Sequence, residues 1–264
     1  MAASSMYTGL SGLQAANTDL ATTSHNIANA GTTGFKNGRT EFGDLVDSNA
    51  ALGGGLGVKT QAVNQQFQQG GIMTTGNALD LAITGNGFFT VQDVGATDFN
   101  YTRSGSFHLD NQGFIVNNLG QQLIGATGAG IQLSGTGPWS NITVNTTTGV
   151  IEATDSTGAT VQANDVLGLV DFNNVQGLKK ISDTQWMETT ASGPPTPGGA
   201  GAPTPGLPGT NGLGNLMSGA LETSNVDLTE QLVNMILAQR NFQANSKTIT
   251  VNNTLTETIT QIIR

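Results

Sequence analysis

Catalysis and metal binding need ionisable or nucleophilic side chains held close together, and in this sequence such residues stand apart. His25 and His108 are distant in the chain, and neither has an acid or a second ligand at metal-binding spacing. Cysteine is absent, which excludes thiolate metal sites, disulfides and cysteine nucleophiles. Asp44, Asp47, Asp80, Asp93, Asp98 and Asp110 occur singly, mostly beside Gly or Asn, so paired-carboxylate catalysis has no support. The glycine-rich runs Gly53-Gly54-Gly55-Leu56-Gly57 and Gly85-Asn86-Gly87 lack the Lys-Ser/Thr of a phosphate loop and the third spaced glycine of a dinucleotide fingerprint, and read as turns. The sequence predicts no enzyme, no cofactor and no metal site.

The composition points the same way. With 37 Gly, 10% charged and 5% aromatic residues in 264, much of the chain is expected to be turn-rich β structure. A net charge of -9 with no Lys/Arg run disfavours nucleic acid and anionic membranes as partners. No stretch of about 18 apolar residues occurs, so membrane insertion is not expected. Met1-Ala2-Ala3-Ser4-Ser5 has no basic region leading into an apolar one, which disfavours a cleaved secretory signal peptide.

Helical periodicity is concentrated at the two ends. Met6, Leu13, Leu20 and Ile27 form one seven-residue row, and Leu10, Asn17 and Ser24 form its neighbour. Near the C-terminus Leu228, Met235, Phe242, Ile249 and Ile263 recur every seven residues with Thr256 interrupting; Leu232, Gln239, Ser246, Asn253 and Thr260 make the second row. Asp227 is a good N-cap with Glu230 three residues on, so a helix is predicted from there to about Arg264, about 55 Å long at about 1.5 Å per residue. A long helix seamed on a narrow stripe needs a partner helix. The pattern does not separate a pair within one chain from a seam between chains.

Between the ends lie short β-like runs: Leu81 to Ile83, Gly87 to Val91, Ser106 to Leu109, Phe114 to Val116, Ile142 to Val144, Val150 to Ala153 and Val166 to Val170. Asp110 to Gly113 reads as a hairpin loop with Gly113 at positive φ; Gly149 and Gly158 mark further turns. Residues 192–214 are rich in Pro and Gly and read as a surface loop or linker. The fold class is α+β: N- and C-terminal helices paired as a coiled coil, with a mainly β, Gly-rich middle domain. The expected divisions are 1–34, 35–224 and 225–264.

Three motifs carry a family resemblance. Gly9-Leu10-Ser11-Gly12-Leu13-Gln14-Ala15-Ala16, leading to Asn26-Ile27-Ala28-Asn29-Ala30-Gly31-Thr32-Thr33-Gly34-Phe35-Lys36, resembles the N-terminal signature of bacterial flagellar rod and hook proteins. Gly76 to Phe89, with Tyr101-Thr102-Arg103-Ser104-Gly105-Ser106-Phe107, resembles the family's β-domain signature, and Ser218 to Asp227 through Asn245 resembles its C-terminal one. Together they span nearly the whole chain.

The resemblance implies a structural subunit whose terminal helices line a tube, with the β domain outside. It also implies export through the flagellum's own apparatus without a cleaved signal peptide. Leu221 to Ala244 and the short Asp47 to Lys59 segment resemble the hook protein most closely; the latter lacks an insertion that resembles a distal-rod feature. Typical hook proteins, however, carry outer domains where this chain has only Ala126 to Asp165, so its length resembles a rod protein. The function expected is therefore a self-assembling hook subunit that transmits torque, with a distal rod subunit as the alternative. A β-helical carbohydrate-binding or carbohydrate-active protein is the remote one; it needs a fixed repeat and an acid cluster, and neither is present. Expected partners are copies of the chain in a helical tube, adjacent rod, junction and hook-cap proteins, and the export apparatus. The expected interface comprises Met6, Leu10, Leu13, Asn17, Leu20, Ile27, Leu228, Leu232, Met235, Gln239, Phe242 and Ile249. Gly31, Gly34, Gly53, Gly54, Gly55 and Gly57 are expected to act as joints between helix and β domain.

Overall fold

The computed structural model describes residues 2–46, 55–135, 137–181, 184–197 and 204–262. Two long helices bracket the chain, α1 (Ala2–Ala28) and α2 (Leu228–Ile262). Asp227 caps α2: its Oδ1 accepts from the backbone of Thr229 at 2.8 Å and Glu230 at 3.2 Å, satisfying two of the amides a helix start leaves unpaired. Gly53, Gly54 and Ile263 lie outside the described residues.

The chain divides into two compact units. The first holds both helices and a long antiparallel hairpin, β1 (Gly38–Val46) with β2 (Gly55–Gln65). Residues 37–66 thus group with the helices, not with the β domain expected to begin at residue 35. The hairpin does so because it lies along α1: Thr40 Oγ1 donates to Thr22 Oγ1 at 3.1 Å, and the Val58 amide donates to Ser11 Oγ at 3.2 Å.

The second unit, residues 31–36 and 67–225, is the β unit. Its strands run β3 (Ile72–Thr74), β4 (Leu81–Thr84), β5 (Phe89–Gln92), β6 (Asn100–Thr102), β7 (Phe107–Leu109), β8 (Ile115–Asn117), β9 (Gln122–Leu123), β10 (Ser140–Val144), β11 (Ile151–Thr154), β12 (Thr160–Gln162), β13 (Lys179–Lys180), β14 (Gln185–Met187), β15 (Asn215–Ser218) and β16 (Ala220–Glu222). Seven of them form one sheet in the order β13-β14-β6-β5-β9-β8-β7; β10-β11-β12 form another, and β15-β4 and β16-β3 pair separately. The β7–β8 hairpin turns where expected, with Gly113 at φ 81°. Strands this short leave many turns, which is where the glycines go.

Two apolar clusters hold the unit together. One gathers Leu81, Phe89, Phe107, Ile115, Leu123 and Leu167 with their neighbours; the other is aromatic, built on Phe88, Tyr101, Phe172 and Trp186. Rings meet edge-on, as between Tyr101 and Phe172 at 4.8 Å and 80°, the geometry that aromatic quadrupoles favour.

Two expectations need revision. Val166 to Val170 is not a regular strand but a line of single bridges, Leu167 with Gly125, Leu169 with Gly206, and Val170 with Phe88. The Pro/Gly segment is not wholly a surface loop. Thr196 and Asp171 exchange backbone bonds of 2.8 Å each, and Gly206 and Leu169 exchange bonds of 2.8 and 2.9 Å. Proline has no amide to give, and the residues between prolines supply theirs instead.

Candidate assembly surface and anchoring cluster

α1 and α2 lie side by side and antiparallel. A Cβ on Gly9 would sit 3.1 Å from Ile249 Cγ1, one on Gly12 2.7 Å from Asn245 Nδ2, and Asn26 bonds Gln231 near the other end. The close approach rests on small residues: Gly9, Ala15, Ala16 and Thr23 are buried on α1, and Ala238 on α2 is only 1% exposed. Backbones can come this near only where side chains are short.

The expected interface residues divide. Leu13, Leu20, Ile27, Met235 and Ile249 are partly buried. Met6, Leu10, Asn17, Leu228, Leu232, Gln239 and Phe242 are exposed, Leu10 by 45% and Leu232 by 51%. Within one chain, Leu232 and Gln239 of the expected row are exposed. One position earlier, Gln231 bonds Asn26, Ala238 is buried and Asn245 lies against Gly12, again seven apart. One residue is about 100° of helix rotation, enough to turn a row from the seam toward solvent.

A polar clasp closes one end of the pair. Asn26 Nδ2 donates to Gln231 Oε1 at 3.0 Å and to Gly38 O at 2.8 Å, while its Oδ1 accepts from the Gly38 amide at 2.8 Å. One buried amide thereby ties α1, α2 and β1, and all its bonds stay inside the unit, as burial demands. Sequence reasoning missed Asn26 and Gln231; the signal was polar residues at heptad positions inside the signature motifs.

Among its polar residues, α2 leaves several large apolar side chains exposed. Leu228, Leu232 and Ile236 form one row and Val233 and Leu237 the adjacent one, with Val251, Leu255 and Ile259 farther along. At the start of α2, Leu228, Leu232, Val233, Ile236 and Leu237 make one apolar patch, more than a solvent-facing surface ordinarily carries, and Arg240, Gln243 and Lys247 separate it from the later group.

The expected joint glycines prove different in kind. Gly31 and Gly55 have open space around their α-carbons. Gly34, at φ +70°, would place a Cβ 2.5 Å from Ser104 N, and Gly57, at φ +111°, would drive one into Ser11 of α1. Gly34 and Gly57 therefore allow close backbone approach.

Within the β unit a buried ionic cluster was also missed. Lys36 Nζ lies 2.6 Å from Glu222 Oε1, Arg103 Nη1 lies 3.5 Å from Glu222 Oε2, and all three side chains are almost wholly shielded from solvent. Burial lowers both cations below their ordinary values, and the carboxylate counters that by favouring their charged forms. Arg103 also stacks 5.1 Å over the Phe88 ring. Each member stood in a signature motif, but nothing in one dimension showed that they meet. Among the described residues, no cluster of His, Asp and Glu could hold a metal, and no helix is long and apolar enough to cross a membrane.

Residues 6–36 match the family described as flagella basal body rod protein, residues 82–164 the flagellar hook protein FlgE/F/G D1 domain, and residues 217–262 the flagellar basal body rod FlgEFG protein C-terminal. The chain is 35% identical to the flagellar basal-body rod protein FlgG of Bacillus subtilis, across 98% of this chain and 99% of that one. It is 33% identical to FlgG of Buchnera aphidicola, again across 98% and 99%. To the flagellar hook protein FlgE of Salmonella typhimurium it is 28% identical, across 96% and 98%, in an alignment 408 positions long. Helices that signature motifs place at both ends, a β unit between them and end-to-end likeness to these relatives make the chain a member of the flagellar rod and hook family of structural proteins.

Proposed function

We propose that this chain is a distal rod subunit of the flagellar basal body, polymerising into a tube through its terminal helices. The observation that carries the choice of rod over hook is length. The alignment with Bacillus FlgG is 274 positions long for a chain of 264, whereas that with the hook protein needs 408. The hook protein thus carries long stretches with no counterpart here. This reverses the hook reading of the sequence, which leaned on a few motif residues and on a short Asp47 to Lys59 segment.

In this reading the helix pair is the building block of an inner coiled-coil layer. The polar clasp of Asn26 and Gln231 fixes its register, a role polar seam residues serve at some expense of stability. The exposed rows through Leu228 and Leu232 form the seams between copies, together with Met6, Leu10 and Phe242. Neighbouring rod and junction proteins meet the ends of the tube, and the subunit arrives through the flagellar export apparatus.

The test pairs electron microscopy of the purified chain, concentrated until it polymerises, with cells in which it is deleted. Straight tubes and cells lacking a complete rod support the distal rod. Cells that build a rod and stop without a hook would return the chain to the hook.

A further inference from the structure

The chain crosses into or out of the β unit four times, after Ala30, Lys36, Gln66 and Asn225. On the β-unit side, the segments at those crossings converge on one residue. The Gly34 amide donates to Glu222 O at 2.8 Å, Lys36 Nζ to Glu222 Oε1 at 2.6 Å, and the Gly70 amide to the same Oε1 at 2.9 Å. Lys36 Nζ also donates to Gln68 O at 2.7 Å, and Asn225 Nδ2 donates to that same carbonyl at 3.1 Å. From the interior, Arg103 reaches Glu222 Oε2 and donates to Gly85 O at 2.9 Å.

We propose that Glu222 is a positioning residue whose carboxylate fastens the connecting segments 34–36, 68–70 and 222–225 to the β unit, as an anchor separate from that unit's apolar cores. Two observations make the anchor separate. Neither apolar cluster draws a fully buried member from residues 34–36 or 68–70. Lys36 Nζ and the Gly70 amide end on its carboxylate, while the Gly34 amide bonds its backbone carbonyl, so removing the charge leaves Lys36 buried without its counterion and Arg103 with only the Asp171 charge nearby. Bonds to a charged group are also the stronger kind, so the loss concentrates where they end. The inference concerns the monomer and holds whichever axial subunit the chain is.

Hydrogen exchange on the full-length monomer tests it. In Glu222→Gln, the Gly70 amide, whose acceptor is the carboxylate, should exchange about tenfold faster or more. The core amides of Phe88 and Ile115 should keep their protection, and Trp186 emission should not change. Unchanged exchange at Gly70, or an equal loss at the core amides, overturns the proposal. Should Glu222→Gln fail to fold, the unmodified chain in sub-denaturing urea decides the matter. Gly34, Gly70 and Asn225 should then open together in one step below the core's opening, and exchange that tracks the core would sink the anchor.

Discussion

Tyr101 is 1% exposed, and its hydroxyl donates to Glu188 Oε2 at 3.4 Å. Burial, and then the neighbouring Glu188 charge, push its phenol above the ordinary value of 10.0. The unfolded chain therefore ionises this group near pH 10 while the folded chain keeps it neutral. Stability from Tyr101 is whole below that pH and falls as pH rises past it, by at most about 1.4 kcal/mol per unit. Tyr101→Phe should cost little at pH 7, because the bond it removes is long, and should flatten the alkaline decline; urea midpoints from pH 7 to about 11 check this. Equal slopes in both proteins would mean that other groups dominate. A second residue-scale expectation separates two glycines that the sequence treated alike. Gly34→Ala meets both a positive φ and Ser104 N at 2.5 Å, and should cost about 1–3 kcal/mol. Gly31→Ala meets nothing within 4 Å and should stay within about 0.5 kcal/mol of the parent in urea unfolding followed by Trp186 emission.

At the scale of elements, the α1–α2 contact sets helix propensity against space. Ala is favoured over Gly inside a helix by about 1 kcal/mol, yet a Cβ on Gly12 would collide with the Asn245 side-chain amide. Gly12→Ala alone should therefore lower the melting temperature, while Gly12→Ala made in an Asn245→Ala background should raise it. That reversal of sign is a coupling that thermal melts of the four proteins can read; additive effects would show that the helices do not meet at this point. The same contact shows what the sequence disclosed. Both helices were legible because heptads and the Asp227 cap are local signals. The facing row was not, because apolarity marks Leu232 while the seam selects for smallness and hydrogen bonding at Gln231, Ala238 and Asn245. The β1–β2 hairpin escaped because its inward groups are Gly38, Thr40 and Gly57, which carry no apolar alternation. Lys36, Arg103 and Glu222 were visible as motif residues, but their meeting depends on chain folding across more than a hundred positions.

For the whole molecule, the apolar patch at the start of α2 favours being covered, and in a family of axial subunits the economical cover is the next copy. Leu232 and Ile236 are each about half exposed in the single chain, so replacing both with Asp removes little burial and should change monomer stability by less than about 1 kcal/mol. In a packed seam the same pair would each bury apolar surface worth about 1.5–3 kcal/mol, and the substitutions would place two carboxylates where no cation waits. Because a polymer repeats its contacts at every subunit, the loss recurs along the tube. The expected outcome is a folded monomer, unchanged in urea unfolding, that forms no tubes in the electron microscope at concentrations where the parent does. Val94→Asp, at a site 75% exposed on the β unit, supplies a charge-matched comparison that should still assemble. If the Leu232/Ile236 double variant polymerises as readily as the parent, this patch is not the seam, and the contact between copies must then lie on another face of the molecule.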